Sequence, residues 1–396
     1  MNICIVNIRE NNPLIGGVEK VSFQLGHYWL EQGHRVIFLS RYRSGLADGY
    51  ESGCEEYFLP DGDVADTPVN VEYAVELLRS HEIEYVVNQG SVFDDLCRLC
   101  YNVKQSMPIR LVTAIHYDPL YKIAANESIF FINERLGVDA IKWMVDTALF
   151  LKFHLLGKHM IRKSVGNELR GIAGYSDAVV CLSESFLPEV RTLIGEGVSA
   201  RLVAIPNPVV PTVYPQGVVK KKQIIYVGRL EFGLKRVDRL VKIWAKTEAK
   251  FPDWRFHIVG DGDMRYLLEK MVREKGLKNI FFDGFQDPLK YYAESSILCL
   301  SSSSEGFGMV LVEALMQRCI PVAYNSFASL TDIIEDGING FCIPAFDEDK
   351  YLQRLHKLME DDNERSRIMA NHKLTLSKFD IETVSYKWLR LFGELS

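Results

Sequence analysis

The sequence predicts an α/β protein of two Rossmann-like domains, each built on a doubly wound parallel sheet. Three observations support this prediction. The chain has 396 residues, which is enough for two domains of ordinary size. Apolar strands alternate with amphipathic helices along most of it. Four prolines within ten residues divide this alternation, so residues 206–220 are predicted to be a linker: Pro206, Pro208, Pro211 and Pro215.

The first domain opens with a strand, loop, helix and strand. Residues 3–8 form an apolar strand, a loop with Gly16 and Gly17 follows, and apolar residues then recur at helical spacing until Gly33 ends the helix before a strand over 36–39. This order is typical of a βαβ unit. Four further strands, two helices and a mostly helical insert follow: strands 84–88, 110–115, 178–183 and 201–205, helices near 70–80 and 92–104, and the insert 117–174.

The alternation restarts after the linker. Six strands are predicted over 223–227, 255–259, 279–282, 297–300, 320–324 and 340–343, and three helices over 236–250, 263–275 and 308–317. A last helix starts near residue 381. We therefore expect an N-terminal domain over 1–206, a C-terminal domain over 207–378, and a terminal helix over 379–396 that packs back toward the N-terminal domain.

Composition and charge exclude several classes of protein. Apolar residues make up 47% and charged residues 25%, as in ordinary globular proteins. The net charge of −6 argues against a nucleic-acid-binding module. The chain has no run of 18 apolar residues and no signal-peptide pattern at its start, so we expect neither a membrane span nor secretion.

The cysteines point to a reducing compartment. Eight cysteines are scattered along the chain, and several lie inside apolar runs. Cys97 and Cys100 form a C-x-x-C pair, but no second pair completes a zinc site. A cytoplasmic protein is the simplest interpretation.

A candidate anion site follows two strands of the second domain. Open α/β sheets bind ligands at the carboxyl ends of their strands. Arg229 and Lys235 flank a short turn there, where they can bind one phosphate group. Gly306 and Gly308 precede a helix whose first amides and positive dipole end favour an anion.

Two glutamates flank this helix start. Glu305 precedes it and Glu313 lies in its second turn, where nearly all neighbours are apolar. A carboxylate in such surroundings needs a strong partner, and ligand hydroxyls would serve. The two glutamates could bind hydroxyls on opposite sides of a diphosphate. A nucleotide sugar has this arrangement, with the sugar on one side and the ribose on the other, so the pattern predicts a nucleotide-sugar site.

These motifs resemble the GT-B glycosyltransferases, and within them the retaining group called family 4. The resemblance covers the whole chain, closely over 220–345 and loosely over 40–200. The matching stretches are Gly16-Gly-Val-Glu19, Pro206-Asn-Pro208, Gly228-Arg229 with Lys235, Val259-Gly-Asp-Gly262, Glu305-Gly-Phe-Gly-Met-Val-Leu-Val-Glu313-Ala314, and Glu335-Asp-Gly-Ile-Asn-Gly340.

The resemblance implies a cleft between the two domains and a role for each matching residue. Arg229 and Lys235 would neutralise the departing diphosphate, Glu305 would contact the transferred sugar, and Glu313 would bind the ribose. His116, after the strand 110–115, would lie near the reacting sugar. The remaining donor-binding residues would be Gly16, Gly17, Phe285, Gly306, Phe307, Gly308, Met309 and Val310.

No metal or other cofactor is expected. Metal-dependent transferases bind Mg²⁺ or Mn²⁺ through Asp-x-Asp, and Asp61-Gly-Asp63 and Asp261-Gly-Asp263 have this form. We interpret both as turns, because Asp-Gly is a common turn pair. Arg229, Lys235 and the helix dipole would replace the metal. By resemblance the anomeric configuration is retained, through a same-face transfer assisted by the leaving phosphate.

One segment departs from the family pattern. Many members carry Gly-Gly-Glu after the strand 320–324, whereas this chain continues from Asn325 without glycine to Asp332. This variant resembles bacterial enzymes of cell-surface polysaccharide and lipopolysaccharide synthesis, and it favours a UDP-hexose donor.

The acceptor is expected to be a glycan or a lipid-linked glycan bound by the first domain. The segment from Arg135 to Arg170 contains seven Arg and Lys residues but only three Asp and Glu residues. Apolar and aromatic residues are interleaved with these charges. This segment could contact an anionic membrane surface peripherally, or it could be ordinary helices with a solvated edge. Two other functions stay open: a GT-B-fold phosphorylase or epimerase, and a non-catalytic nucleotide-sugar-binding protein.

Overall fold

The computed structural model describes residues 1–45, 53–92, 94–125, 157–210, 217–231, 233–372 and 376–396. The chain divides into two compact units. Unit 1 comprises residues 1–119, 162–210 and 378–396, and unit 2 comprises residues 120–161 and 211–377. The helix that ends the chain thus belongs to the first unit, and most of the predicted insert 117–174 lies outside the described residues.

Unit 1 contains a seven-stranded parallel sheet in the order β3-β2-β1-β4-β5-β6-β7. Its strands are β1 Asn2–Arg9, β2 Arg35–Tyr42, β3 Glu55–Phe58, β4 Tyr85–Asn88, β5 Arg110–Ile115, β6 Ala178–Cys181 and β7 Arg201–Ala204. Its helices are α1 Gly17–Glu31, α2 Pro68–Ser80, α3 Asp94–Ser106, α4 Lys158–Tyr175, α5 Leu187–Ile194 and, at the chain end, α13 Ile381–Leu395.

The core of unit 1 has two layers, because buried side chains alternate between the faces of its strands. Ile3 and Ile5 of β1 face one layer, where they pack with α1 and α13. Cys4 and Val6 face the other layer, where they pack with α2 and α3. Helices therefore cover both faces of the sheet.

The terminal helix α13 is held against α1 by aromatic packing and one hydrogen bond. Trp29 donates from Nε1 to Ser385 Oγ at 2.9 Å, and its ring meets Trp388 and Phe392 edge-on. The first part of the predicted linker is also anchored in unit 1, since the amide of Val209 donates to the Phe379 carbonyl at 2.8 Å.

Unit 2 contains a six-stranded parallel sheet in the order β10-β9-β8-β11-β12-β13. Its strands are β8 Lys221–Val227, β9 Arg255–Val259, β10 Ile280–Gly284, β11 Ser295–Leu300, β12 Ile320–Asn325 and β13 Phe341–Pro344. Its helices are α6 Val237–Ala245, α7 Arg265–Glu274, α8 Leu289–Glu294, α9 Met309–Met316, α10 Leu330–Ile333, α11 Glu348–Glu360 and α12 Asp362–Ala370.

Two parallel doubly wound sheets confirm the predicted fold class. In both sheets the strand order reverses beside the first strand of the unit, between β1 and β4 and between β8 and β11. Ligands of open α/β sheets bind at such switch points, outside the carboxyl ends of the strands. The loops after these strands are therefore the expected ligand-binding segments.

Candidate active site

The carboxyl ends of β8 and β11 bring two predicted site residues together. Lys235 donates from Nζ to Glu305 Oε1 at 2.7 Å and to Oε2 at 2.8 Å. The Lys235 side chain is 20% exposed and that of Glu305 is 11% exposed. Because both groups are largely withdrawn from water, their attraction is stronger than that of a surface ion pair.

Serine hydroxyls and backbone atoms fix this pair in place. Ser302 donates from Oγ to Glu305 Oε1 at 2.6 Å, and Ser301 donates to the Lys235 carbonyl at 3.0 Å. The amide of Ser303 donates to the Leu234 carbonyl at 2.6 Å. The loop after β8 is thus bonded to the loop after β11, which places an ammonium and a carboxylate side by side.

Arg236, next to Lys235, is part of this support. Its backbone has a φ of 50°, and its buried guanidinium donates to both carboxylate oxygens of Asp238 at 2.9 and 3.2 Å. Although burial opposes ionisation, the hydrogen bonds and charge of Arg236 hold the pKa of Asp238 below its ordinary value. The buried ion pair keeps the turn after Lys235 in a conformation that non-glycine residues rarely adopt.

Helix α9 begins four residues after Glu305. Gly308 precedes it with a φ of 90°, and Leu311 donates from its amide to the Gly308 carbonyl at 2.9 Å. The amides of Met309 and Val310 therefore stand at the helix N-terminus, where backbone donors and the helix dipole favour an anion. Phe307, by contrast, is buried and has its carbonyl bound by Ser329 Oγ at 3.2 Å.

Glu313 has a protein partner that the sequence analysis did not identify. The hydroxyl of Tyr292, a residue that is 2% exposed, donates to Glu313 Oε2 at 3.0 Å. The sequence predicted ligand hydroxyls as the strong partner of this carboxylate, whereas α8 supplies a phenol. Glu313 as a whole is intermediate in burial.

The other predicted residues of unit 2 are placed separately. The Arg229 side chain is 81% exposed, and its guanidinium lies 3.4 Å from Glu231; Arg229 and Lys235 thus have different carboxylate partners. Phe285 is 75% exposed and follows β10, the edge strand, which β9 separates from β8.

In unit 1, the predicted glycines lie at the start of α1. Gly16 precedes the helix in an extended conformation, and a Cβ there would lie 2.7 Å from Glu19 Oε2. Gly17 has open space around its Cβ position. Glu19 is buried and accepts a hydrogen bond from Arg9 Nε at 3.0 Å, and Arg9 Nη2 lies 3.0 Å from the same oxygen. A larger residue at position 16 would displace this ion pair.

His116 lies at the end of β5, beside a buried glutamine. Its Nε2 makes a hydrogen bond with Oε1 of Gln89, which follows β4 and is 2% exposed. Burial lowers the pKa of His116 from 6.5 to about 4, so the imidazole is neutral at pH 7. A polar residue directly after a buried strand was a signal that could have identified Gln89 from the sequence.

Both Asp-Gly-Asp motifs lie in loops, outside the strands and helices. Asp61 accepts through Oδ1 from the amide of Asp63 at 2.9 Å. Asp261 accepts through Oδ1 from the amide of Gly262 at 2.8 Å, and its Oδ2 binds Arg265 at 2.9 Å. Within the described ranges, no group of three His, Cys, Asp or Glu side chains is arranged to hold a metal ion.

The basic segment 135–170 is only partly described, because residues 126–156 lie outside the described ranges. In the described part, Arg162 pairs with Glu189 at 2.6 Å and Arg170 donates to the Ile194 carbonyl at 2.8 Å. Two of its cations are thus bound within the protein, and membrane contact stays a prediction. No described helix combines the length and the hydropathy that a membrane span requires.

Two family profiles together match almost the whole chain. The profile of Glycosyltransferase Family 4 matches residues 15–213, and that of Glycosyl transferases group 1 matches residues 215–375. The first match ends at residue 213 and the second begins at residue 215, close to the boundary between the two units after residue 210.

Several named proteins and solved structures are similar to the chain. A GalNAc-α-(1→4)-GalNAc-α-(1→3)-diNAcBac-PP-undecaprenol α-1,4-N-acetyl-D-galactosaminyltransferase of Campylobacter jejuni is 27% identical over 44% of the chain, and the match spans about half, 49%, of that relative. The N-acetyl-α-D-glucosaminyl L-malate synthase of Bacillus anthracis is 24% identical over 96% of both chains. The Anabaena protein HepE, solved with UDP, has a TM-score of 0.73 at 16% identity over the full length of both chains, which shows a common fold.

Proposed function

Because the chain belongs to glycosyltransferase family 4, we propose that it transfers a hexose-type sugar from a nucleotide diphosphate donor to a saccharide or lipid-linked saccharide acceptor. We favour UDP-sugars as donors, retention of the anomeric configuration, and a reaction without a metal ion. We propose that this transfer is a step of cell-surface glycan synthesis.

The observation that carries this proposal is the Lys235–Glu305 pair, whose glutamate lies in the loop that leads into α9. An ammonium has three N–H donors, and Glu305 accepts two of them at 2.7 and 2.8 Å. The third can donate to a phosphate oxygen, while the Met309 and Val310 amides bind the diphosphate from the helix end. Positive charge is thus concentrated where a leaving diphosphate gains negative charge.

The carboxylates would then orient the two ends of the donor. Glu305, held by Lys235 and Ser302, keeps lone pairs for hydroxyls of the transferred sugar. Glu313, oriented by the Tyr292 hydroxyl, would bind the ribose. Arg229, whose 81% exposed side chain lies 3.4 Å from Glu231, can turn to the diphosphate when the donor binds.

The reaction would proceed on one face of the sugar. The bond between the anomeric carbon and the diphosphate oxygen breaks, and an acceptor oxygen bonds to the anomeric carbon on the same face. The acceptor's proton passes to the departing phosphate oxygen, so charge and atoms balance. Lys235 and the α9 dipole stabilise the diphosphate that leaves.

The Campylobacter relative supports the acceptor class, since its name describes transfer to a saccharide on undecaprenyl diphosphate. The UDP bound to HepE supports the donor class. Both are properties of those proteins and enter here as support for a proposal about this one.

The experiment is turnover of radiolabelled UDP-, GDP- and ADP-sugars by the full chain, with and without EDTA. We expect hydrolysis or transfer with UDP-hexoses, unchanged by EDTA, and a product with the anomeric configuration of the donor by NMR. Turnover of no nucleotide sugar would overturn the enzymatic function and favour a binding protein. Loss of turnover in EDTA would exclude the metal-free reaction, and inversion would exclude retention.

A pair of variants tests the role of Glu305 in the same assay. Glu305→Ala is expected to remove most of the turnover. Glu294→Ala is the matched control, because Glu294 is a partly exposed glutamate of unit 2 that pairs with Lys221 at 2.6 Å. Full activity of Glu305→Ala would remove this residue from its assigned role.

A further inference from the structure

Lys220 is the last residue of the predicted linker and immediately precedes β8. Its ammonium donates to two backbone carbonyls, that of Tyr292 at 2.8 Å and that of Gln317 at 2.6 Å. Tyr292 belongs to α8, and Gln317 directly follows α9. One side chain at the start of the second sheet thus joins the helix that carries Glu313 to the helix that supplies its phenol partner.

Both carbonyls belong to residues that are themselves bonded to Glu313. Tyr292 donates from its hydroxyl to the Glu313 carboxylate at 3.0 Å. The amide of Gln317 donates to the Glu313 carbonyl at 3.3 Å, in the last turn of α9. Tyr292 and Gln317 are 2% and 1% exposed, so water cannot readily replace the ammonium at their carbonyls. Lys220 therefore fixes both the partner of the carboxylate and the helical turn that carries it.

The ammonium also lies at the negative end of the α9 dipole. The last carbonyls of a helix lack intrahelical donors, and a cation near them is stabilising. Gln317 caps the C-terminus of α9, so Lys220 supplies both a donor and a positive charge at that end. The same helix presents its first amides, those of Met309 and Val310, at the opposite end.

Three other titratable or charged side chains act on this ammonium. Arg318 and Cys319 follow α9, and His372 follows α12 and makes a hydrogen bond with the Leu315 carbonyl through Nδ1 at 3.2 Å. Burial raises the pKa of the Cys319 thiol to about 12 and lowers the pKa of His372 to about 4. Both are therefore uncharged at pH 7 and at pH 9, whereas Arg318 is a cation at both values.

The charge of Lys220 does change over this interval. Burial lowers its pKa from 10.5 to about 8, with smaller and opposing effects of Cys319, which raises it, and Arg318, which lowers it. Burial and Glu313 raise the pKa of Tyr292 well above its ordinary value, so the phenol remains a donor to Glu313. The Lys220 amine is thus mostly charged at pH 7 and mostly neutral at pH 9. A neutral amine forms weaker hydrogen bonds and brings no charge to the helix end.

We propose that Lys220 is a positioning residue for donor binding, because its charged ammonium holds Tyr292 and Gln317 where they orient the Glu313 carboxylate toward the ribose. This inference rests on the proposed function, in which Glu313 binds the ribose. It adds that the orientation of Glu313 depends on the charge of a lysine that acts through the protein and not on the donor itself.

The test measures the affinity of the full chain for UDP by isothermal titration at pH 7 and pH 9. Lys220→Met is expected to bind UDP about tenfold more weakly than the wild type at pH 7. At pH 9 the difference should shrink to about twofold, because the wild type has then lost most of the charge. The ratio of the two dissociation constants cancels the titration of UDP itself. A merely structural role would lower the melting temperature and leave this ratio near one.

Combination with Tyr292→Phe tests whether Lys220 acts through the phenol and Glu313. In the Tyr292→Phe background, Lys220→Met should weaken UDP binding at pH 7 by less than about threefold, because the interaction through which Lys220 acts is already lost. A tenfold effect of Lys220→Met in both backgrounds would overturn the inference.

Lys221→Met is the matched control. Lys221 is the neighbouring lysine, its side chain is 57% exposed, and it pairs with Glu294 at 2.6 Å. This variant should bind UDP like the wild type at both pH values.

Lys220→Arg serves if Lys220→Met does not fold. Arginine keeps its charge at pH 9, so the UDP affinity of this variant relative to the wild type should rise from pH 7 to pH 9. A constant ratio would overturn the inference.

Two further results would contradict the role of Lys220. One is equal UDP affinity of the wild type and Lys220→Met at pH 7, and the other is a tenfold difference that persists at pH 9. Turnover of nucleotide sugars, assayed on the same preparations, tests the proposed function separately. A chain that shows the expected ratios for UDP but turns over no donor contradicts only the transferase function.

Discussion

Lys235 and Glu305 are 70 residues apart in the sequence, yet the ammonium of Lys235 donates to both carboxylate oxygens of Glu305. The pair connects the loops after β8 and β11, the two strands that meet where the strand order of the second sheet reverses. Each group compensates the charge of the other, and both side chains are largely buried. A bound diphosphate would share the same ammonium.

Lys235→Ala is therefore expected to lower kcat about 100- to 1000-fold, because it removes a positive charge at the developing diphosphate. Steady-state kinetics with the preferred UDP-sugar measure this effect. Lys221→Ala, which breaks an exposed ion pair with Glu294 in the same unit, should change kcat less than twofold. A kcat of Lys235→Ala within twofold of the wild type would contradict the role of Lys235.

Tyr292→Phe is expected to weaken UDP binding about tenfold, because Glu313 loses a hydrogen bond that orients its carboxylate. Isothermal titration with UDP measures the change. Tyr351→Phe is the control: Tyr351 is equally buried and donates to the Val322 carbonyl at 2.7 Å. That variant should lose about 1 kcal/mol of stability and bind UDP normally. Equal UDP affinity in both variants would mean that Tyr292 contributes to the core but not to UDP binding.

Local patterns were sufficient to predict most of the fold. The predicted bounds of β5 and β9 agree with the structure, because both strands are short apolar runs between polar residues. Strand β3 was missed since Glu55 and Glu56 begin it. The structure explains these carboxylates: β3 is an edge strand, and Glu56 Oε1 accepts from Asn11 N at 2.7 Å and Ser40 Oγ at 3.0 Å.

Helices α11 and α12 were also missed, although the sequence contains a signal for them. Asp347 and Asp361 cap their N-termini, accepting from the amides of Lys350 and Glu364. An aspartate before an amphipathic run predicts such a start. The predicted helix 236–250 ends earlier than expected, at Ala245, because residues 246–250 continue as turns.

The sequence likewise predicted some parts of the candidate site and missed others. Glu305, Lys235 and Glu313 could be placed at strand ends and on a helix because their neighbours in the sequence define those elements. Their partners could not, since Tyr292 reaches Glu313 from α8 and Gln89 reaches His116 from the neighbouring strand end. These contacts depend on how separate elements pack, which periodicity does not encode.

Gly260→Ala is expected to cost about 3 kcal/mol or more of stability and to lower kcat/KM for the donor. Gly260 has a φ of 140°, and a Cβ there would lie 2.0 Å from the Gly228 carbonyl oxygen, so the loop that carries Arg229 would have to move. Gly337→Ala is the control, because its φ of 74° is also positive but its Cβ position is open. It should cost about 1 kcal/mol without a kinetic effect. Similar losses in the two variants, measured by thermal melting, would contradict the close packing of the loops.

The acid sensitivity of the protein is expected to depend partly on His116. Its imidazole takes up a proton near pH 6.5 in the unfolded chain but only near pH 4 in the folded one, because burial disfavours the charged form. Between these values the unfolded state binds more protons, so the free energy of unfolding falls as the pH drops from 6.5 to 4.

Urea unfolding of the wild type at pH 7.5 and pH 5 should show this loss. His116→Gln should lose less stability over the same interval, whereas His27→Gln, at an exposed position of α1, should behave like the wild type. An equal loss in His116→Gln and the wild type would show that His116 is protonated in the folded state at pH 5.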